Sequence, residues 1–217
     1  MLYLNQIVRV QPAAMKPYVE RFKSELVPLM QRCGFELVGL WQALQANDFI
    51  DLWEAREWAD MDRLDRAMRD DPGFLAYQEQ DYPRRLNWSV KLLHPTAFCP
   101  DLGKIKREQI KGGLYMMATI PIVPDRLGEY LTLFPKNGMR LEEKHGLRTL
   151  GYWMGGGPDH TEAFNCTQIC VIEDWEHWGR FMEGRSRDPE VAEWMRRALF
   201  YRTFHSARWM TPAYIPY

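Results

Sequence analysis

Apolar and polar positions alternate at the start of the chain and then change to helical spacing. The segment LYLNQIVRV (2–10) alternates loosely and is rich in branched residues, which predicts a strand. After Pro12 the apolar residues recur every three or four positions, which predicts a helix, and Gly34 suits its end. The residues of this apolar stripe are Met15, Tyr18, Val19, Phe22, Leu26, Leu29 and Met30.

The pattern then predicts two strands, a second helix and a last strand. The strands FELVGLWQAL (35–44) and FIDLWEA (49–55) flank a turn, and a helix begins near Trp58. Asp71 and Pro72 interrupt this helix and restart it as N-cap and first helical residue. The segment RRLNWSVKLL (84–93) follows as a strand. The order strand–helix–strand–strand–helix–strand predicts a ferredoxin-like α+β unit.

The same unit occurs twice. An offset of 112 residues up to Trp41, and of 117 beyond it, aligns the two copies. The offset changes in one loop, where MGGGPDHTEAF replaces a shorter turn, and insertions belong in loops. We predict a first unit at 1–93, a linker rich in Pro, Gly and charge at 94–112, and a second unit at 113–217. Aligned pairs include Tyr18 and Tyr130, Phe22 and Phe134, Trp41 and Trp153, Trp58 and Trp175, Asp71 and Asp188, and Arg85 and Arg202.

Each predicted unit has a four-stranded sheet with both helices on one face, so the other face must be buried. We therefore predict two tandem ferredoxin-like units, βαββαβ each, packed sheet to sheet as an intramolecular α/β barrel with a cavity between the sheets. The alternative is two independent units that each pair with another chain.

Composition and charge limit the function. Hydrophobic residues make up 46% and charged residues 26%, and the net charge of −1 gives no electrostatic case for nucleic acid or an anionic membrane. No apolar run approaches the about 20 residues of a spanning helix, and the N-terminus does not resemble a signal peptide. We expect a cytoplasmic protein with reduced thiols and no metal site. The nine Trp and twelve Met residues favour a pocket for a hydrophobic small molecule.

Three segments resemble the NIPSNAP family: LVGLW at 37–41, DLWEA at 51–55 and DPGFLAY at 71–77. In the second copy LGYW at 150–153 is similar, whereas QICVIEDW at 168–175 has Cys170 where the first copy has Trp53. The resemblance implies the dimeric α/β barrel superfamily, which contains cofactor-free monooxygenases, haem enzymes, cyclases and ring isomerases, so the fold does not set the function. The family's first-strand Arg corresponds to Gln6 and Ala118, and its third-strand His corresponds to Asp51 and Gln168. An activity carried by those residues would be changed here.

Strand alternation selects the candidate site residues. Asp51 and Trp53 share one face of their strand, and Leu52 suits the face that packs on helices. We therefore predict that Asp51 faces the cavity between the sheets, where burial raises its pKa toward that of a base; the alternative is an Asp exposed near a strand edge. The predicted catalytic residues are Asp51, His160 and His205. The predicted substrate-binding residues of one pocket lined by both copies are Gln6, Trp41, Trp53, Trp88, Trp153 and Gln168.

Three functions fit these residues. The first is an enzyme without a cofactor, of monooxygenase, cyclase or isomerase type, acting on an apolar, aromatic or polyketide-like molecule. The second is a haem-binding barrel with His177 or His205 as axial ligand. The third is a non-catalytic NIPSNAP-type binding or scaffolding protein. A homodimer is a further expectation for each of them.

Overall fold

The chain divides into two units in the computed structural model, which describes residues 1–155, 164–203 and 206–217. One unit comprises Met1–Leu93 together with Thr211–Tyr217, and the other comprises His94–Met210. In the described part of the chain, no helix has both the length and the apolar character that crossing a membrane requires.

The first unit is an antiparallel sheet covered by helices. Strand pairing gives the order β4-β1-β3-β2. Helical residues such as Tyr18, Phe22 and Phe74 share one core cluster with strand residues such as Leu4 and Trp53. The elements are β1 (Leu2–Val10), α1 (Met15–Arg21), a π-helical turn (Phe22–Leu26), α2 (Val27–Arg32), β2 (Phe35–Ala43), β3 (Asp48–Ala55), α3 (Trp58–Asp70), α4 (Pro72–Asp81) and β4 (Arg85–Pro95).

Local sequence signals explain where these helices begin and end. The Asp71 carboxylate accepts hydrogen bonds from the backbone N–H groups of Gly73 and Phe74, as expected of an N-cap before Pro72. Gly34 follows α2 with a φ of 95°, a conformation that favours glycine. A π-helical turn lies just before Pro28, which cannot donate the helical hydrogen bond.

The second unit repeats this arrangement with the strand order β8-β5-β7-β6. Both units therefore have the α+β connectivity of the predicted ferredoxin-like unit, and the packing of one sheet on the other stays a prediction. The elements are α5 (Leu102–Arg107), β5 (Leu114–Pro121), α6 (Leu127–Leu133), a π-helical turn (Pro135–Met139), α7 (Arg140–Lys144), β6 (Arg148–Gly155), β7 (Asn165–Ile172), α8 (Trp175–Arg187), α9 (Pro189–Ala198) and β8 (Ser206–Tyr214).

The segment 94–112, expected to be a linker, contains the helix α5. The Asp101 carboxylate accepts a hydrogen bond of 2.6 Å from the Lys104 backbone N–H and caps this helix. Three apolar side chains of the segment, Leu102, Ile105 and Ile110, are buried. The sequence did not predict this helix, because Pro, Gly and charged residues surround its apolar positions. The segment belongs to the second unit.

Candidate functional site

Strand β3 directs Asp51 toward the helices of the first unit. The ring of Phe22, in the π-helical turn, lies 5.6 Å from the ring of Trp53, which shares a strand face with Asp51. The Trp53 indole N–H donates a hydrogen bond of 2.6 Å to Asp51 Oδ1. The prediction that Leu52 packs on the helices and Asp51 points away from them was wrong. Both faces of β3 are buried, so apolar character alone does not identify the helix side.

Asp51 is fully buried, and this burial raises its pKa to about 7. The hydrogen bond from Trp53 and the charge of Arg85 oppose the rise. Arg85 itself donates a hydrogen bond of 2.6 Å to Asp81 Oδ2. Asp51 Oδ2 has no hydrogen-bond partner among the described residues. The side chain is therefore a carboxyl that exchanges its proton near neutral pH, and its predicted catalytic role stays a prediction.

A small cavity lies near Asp51 in the first unit. It has a volume of about 30 Å³, and its lining includes Gln6, Tyr77, Arg85 and Trp88, but not Asp51. One water molecule needs roughly 10–15 Å³ measured in this way, so the cavity has room for about two waters. It is too small for an organic substrate in this conformation.

A larger cavity of about 80 Å³ occupies the corresponding position in the second unit. Strand β5 lines one side through Met116, Ala118 and Ile120, β7 contributes Gln168, and helices and loops supply the rest of the wall. The large apolar side chains of this wall are Phe134, Trp178, Phe181, Trp194, Met116 and Met195. The polar side chains are Tyr130, Glu142, Gln168, Arg185 and Arg202. We refer to this space as the second-unit cavity.

Different residues at aligned positions account for the different sizes of the two cavities. Leu26 and Met30 line the first cavity, and the residues aligned with them in the second are Gly138 and Glu142. A Cβ atom on Gly138 would lie 2.6 Å from the Phe134 ring and 2.9 Å from Trp194 Nε1, so this glycine leaves space that a side chain would fill. A leucine and a methionine have thus been replaced by a glycine and a carboxylate.

Glu142 is the acidic group of the second-unit cavity. The Gln168 side-chain amide donates a hydrogen bond of 2.7 Å to Glu142 Oε2 and lies 3.4 Å from Thr149 Oγ1. Burial raises the pKa of Glu142 to about 7, although the Gln168 hydrogen bond and the charges of Arg185 and Arg202 act in the opposite direction. A carboxyl with this pKa, held in a fixed orientation, suits a general base near neutral pH.

Two arginines border the same cavity from different elements. Arg185 lies at the end of α8 and Arg202 follows α9, and both side chains are partly buried. Their terminal nitrogens lie 3.6 and 3.9 Å from the Met195 sulfur, which is a weak acceptor. The Arg185 guanidinium also lies 5.5 Å from the centre of the Phe181 ring. The cavity wall thus carries positive charge beside its aromatic groups.

The structure distributes the predicted site residues over two cavities and two sheet faces. Gln168 lines the second-unit cavity, whereas Gln6 and Trp88 line the first. Trp41 and Trp153 are fully buried, but their register beside Ile50 and Thr167 puts them on the faces opposite Asp51 and Gln168. They therefore do not join Asp51 and Gln168 on one wall as predicted. The predicted catalytic residues His160 and His205 lie outside the described residues.

Sequence reasoning missed Glu142, Gly138, Arg185 and Arg202. Glu142 had a usable signal, because it replaces Met30 on the buried stripe of the aligned helix. A carboxylate at such a position is costly unless it is paired or functional. Arg202 was aligned with Arg85, but two arginines at one position do not by themselves indicate a cavity.

The second-unit cavity does not fit a haem. Haem-sized ligands need pockets of several hundred Å³, far more than the volume found here, and neither a histidine nor a cysteine is among the lining residues. His177 is not part of the lining and has its Nδ1 3.7 Å from a Glu173 carboxylate oxygen. Within the described ranges, no three His, Cys, Asp or Glu side chains cluster as metal ligands would.

The NIPSNAP family model matches residues 6–100, which confirms the resemblance for the first unit. A comparison with curated protein sequences finds no match.

Solved structures that are similar to the whole chain have low sequence identity to it. A proposed monooxygenase from Lactobacillus acidophilus NCFM has a TM-score of 0.65 at 10% identity, over 99% of this chain and 94% of its own. A proposed monooxygenase from Fusobacterium nucleatum has a TM-score of 0.63 at 8% identity, over 99% and 93%. A proposed chlorite dismutase has a TM-score of 0.56 at 11% identity, over 97% and 94%. At these identities the similarity concerns the fold.

Proposed function

We propose that this chain, whose residues 6–100 form a NIPSNAP domain, is a small-molecule enzyme that works in the second-unit cavity without an organic cofactor. Its substrate is a hydroxyaromatic molecule, and its first step is removal of the phenolic proton by Glu142. The similarity in fold to proposed monooxygenases makes oxygenation of the resulting anion the reaction to test first.

One observation carries this proposal: Glu142 lies in an aromatic-lined cavity, where Gln168 holds one carboxylate oxygen. Aromatic walls bind a flat ring through its large apolar surface. The bond from Gln168 fixes one oxygen of Glu142, which leaves the other free to accept a proton. The pKa of about 7 keeps Glu142 basic enough to take a proton and acidic enough to return it.

The reaction balances without an external reductant. Glu142 takes the phenolic proton, and the electron-rich ring carbon of the phenolate then reacts with molecular oxygen. One oxygen atom stays on the ring, and the second leaves as water with the two hydrogens that the substrate loses. The substrate supplies all four electrons, so a phenol and O₂ give a quinone and water. The chain orients the ring, excludes water and moves the proton.

Oxygen uptake with a panel of single-ring phenols tests the proposal. We expect uptake with at least one phenol, a product that has gained one oxygen and lost two hydrogens, and kcat/KM that rises through a pH of about 7. The substitution Glu142→Gln should lower kcat by about 10²–10⁴-fold, the usual contribution of a general base. Glu176→Gln changes an exposed carboxylate of α8 that does not line the cavity and should leave kcat unchanged.

The competing functions give different results in the same experiment. If Asp51 is the base, Asp51→Asn abolishes uptake and Glu142→Gln does not. If phenols bind and raise the melting temperature but are never consumed, the protein is a binding protein and the proposed enzymatic role is wrong.

A further inference from the structure

The hydroxyl groups of Tyr130 and Tyr152 form a buried pair at the second-unit cavity. Their oxygens lie 3.1 Å apart, and both residues are fully buried. Only one of the two hydroxyl protons can lie between the two oxygens, so the other O–H group needs a different acceptor. Buried hydroxyl groups are seldom left without one. The pair therefore has one hydrogen-bond donor to offer to a ligand.

The positions of the two rings indicate that this donor is Tyr130. Tyr130 lines the second-unit cavity, whereas Tyr152 does not, and the Tyr152 hydroxyl donates to the Tyr130 oxygen. Burial raises the pKa of Tyr130, so its hydroxyl keeps its proton at neutral pH. The Tyr130 O–H can therefore donate a hydrogen bond into the cavity.

The second-unit cavity extends along strand β7. Tyr130 packs in one core cluster with Cys166. Leu147 and Phe181, which also line the cavity, pack in another cluster with Cys170. Cys166 and Cys170 share one face of β7 and lie about 13 Å apart. The cavity therefore has two ends, and Tyr130 lies at the end near Cys166.

Glu142 lies farther along the cavity than Tyr130. It follows Tyr130 by twelve residues in one helical stretch, which separates their Cα atoms by about 18 Å. Gln168, which donates to Glu142, lies two residues beyond Cys166 on the same face of β7, or about 7 Å along the strand. A ring bound between the two helical residues would therefore meet Glu142 at one end and Tyr130 at the other.

The volume of the cavity limits the ligand to one ring. A cavity of about 150 Å³ holds a benzene molecule, and the second-unit cavity has about 80 Å³. Met116 and Met195 are flexible side chains in its wall and can move to admit one ring. A fused ring system would need larger movements of Phe134 and Trp194.

We propose that the substrate is a single-ring phenol with a second oxygen, in a hydroxyl or ether group, at the opposite end of the ring. Glu142 takes the phenolic proton at one end, and Tyr130 donates a hydrogen bond to the second oxygen at the other. This inference rests on the proposed function for the role of Glu142, but it concerns recognition of the second oxygen.

Calorimetric titration without oxygen, at about pH 8, where Glu142 is ionised, separates binding from turnover. The probes are 4-methoxyphenol, which has the second oxygen, and 4-ethylphenol, which has a CH₂ group in its place. We expect 4-methoxyphenol to bind at least about fivefold more tightly, because 4-ethylphenol leaves the buried Tyr130 hydroxyl without an acceptor. In 3-methoxyphenol the second oxygen lies to one side, so this isomer should bind no more tightly than 4-ethylphenol.

Three variants test which hydroxyl is responsible. Tyr130→Phe removes the donor and should abolish the preference for 4-methoxyphenol, while 4-ethylphenol still binds. Tyr152→Phe keeps the Tyr130 hydroxyl and should keep the preference. Tyr18→Phe changes the aligned tyrosine of the first unit and should have no effect.

Three results would overturn the inference. The first is equal affinity of the wild type for 4-methoxyphenol and 4-ethylphenol. The second is an equal loss of affinity for both ligands in Tyr130→Phe, which would mean that the hydroxyl only supports the cavity wall. The third is binding of 3-methoxyphenol as tight as that of 4-methoxyphenol, which would mean that the second oxygen is not bound at the far end.

The outcomes also separate this inference from the proposed function. If 4-methoxyphenol binds with the expected dependence on Tyr130 but no phenol is consumed in air, the site for the second oxygen stands and the enzymatic role fails. If phenols are oxidised through Glu142 but the second oxygen and Tyr130 change neither binding nor rate, the enzymatic role stands and this inference is wrong.

Discussion

At the scale of single residues, each unit holds a carboxyl whose pKa is raised to about 7, fully buried Asp51 in the first and partly buried Glu142 in the second. Asp51 is on β3, and its aligned partner in the second unit is Gln168, which binds Glu142. The acidic group has therefore moved from the strand to the helix between the two copies. The sequence showed that position 51 is Asp and that the aligned position 168 is Gln. It did not show on which face of the strand each side chain lies, because both faces are buried.

Asp51 should make stability depend on pH. Its folded pKa of about 7 lies above the usual 3.8, so the native state holds a proton that the unfolded state has released. The free energy of unfolding should therefore fall as the pH rises from about 4 to about 7 and then level off. Each pKa unit corresponds to about 1.4 kcal/mol, so Asp51→Asn should reduce this fall by up to about 4 kcal/mol.

Denaturant titrations of wild type and Asp51→Asn at several pH values measure this difference. Asparagine retains the oxygen that accepts the Trp53 hydrogen bond, so the variant should fold. Asp62→Asn changes a surface carboxyl and serves as the control. Parallel pH profiles for wild type and Asp51→Asn would show that Asp51 is ionised in the folded protein at low pH.

At the scale of secondary-structure elements, the helix starts could be predicted from the sequence, whereas the second-unit cavity could not. Asp71 with Pro72, and Asp188 with Pro189, begin α4 and α9 as expected, because capping depends on neighbouring residues alone. The second-unit cavity depends on Gly138 in a π-helical turn that meets Phe134 and Trp194. A periodic pattern does not reveal such a space, because it arises from side chains brought together by folding.

Filling this space should prevent ligand binding. In Gly138→Ala the new methyl group would crowd the Phe134 ring and the Trp194 indole, which must shift into the second-unit cavity. We expect affinity for the single-ring phenols to fall at least about tenfold, while alanine's better helix propensity offsets part of the packing cost.

Calorimetric titration, with a thermal melt as a check on folding, measures this effect. Gly179→Ala is the matched control, because a Cβ atom there meets no atom within 4 Å. Unchanged affinity in a folded Gly138→Ala protein would mean that the ligand binds elsewhere.

At the scale of the whole molecule, the two units have the same connectivity but unequal cavities, about 30 and about 80 Å³. The order of elements and the α+β class could be predicted, because strand and helix periodicity are properties of the sequence itself, whereas the tandem repeat stays a prediction. We expected one site shared by both copies because the polar residues at aligned positions differ. The sequence did not show on which face of its strand each of these side chains lies.

We therefore expect one ligand to bind per chain. The first cavity has room for about two waters only, so titration of a single-ring phenol should give a stoichiometry of one. Trp88→Ala alters the wall of the first cavity and should change neither stoichiometry nor affinity. Two equivalent sites, or loss of binding in this variant, would instead support a role for Trp88 in substrate binding.

The grouping of residues 211–217 with the first unit has a consequence for biosynthesis. Tyr214 packs against the first unit's core and lies 5.4 Å from the Lys23 ammonium, and Ile215 would contact a side chain added at Gly39. These residues are translated after the second unit, so the unit translated first cannot be completed until the second has been synthesised. A chain stalled before residue 211 would hold a finished sheet order but an open core, the form that chaperones and proteases recognise.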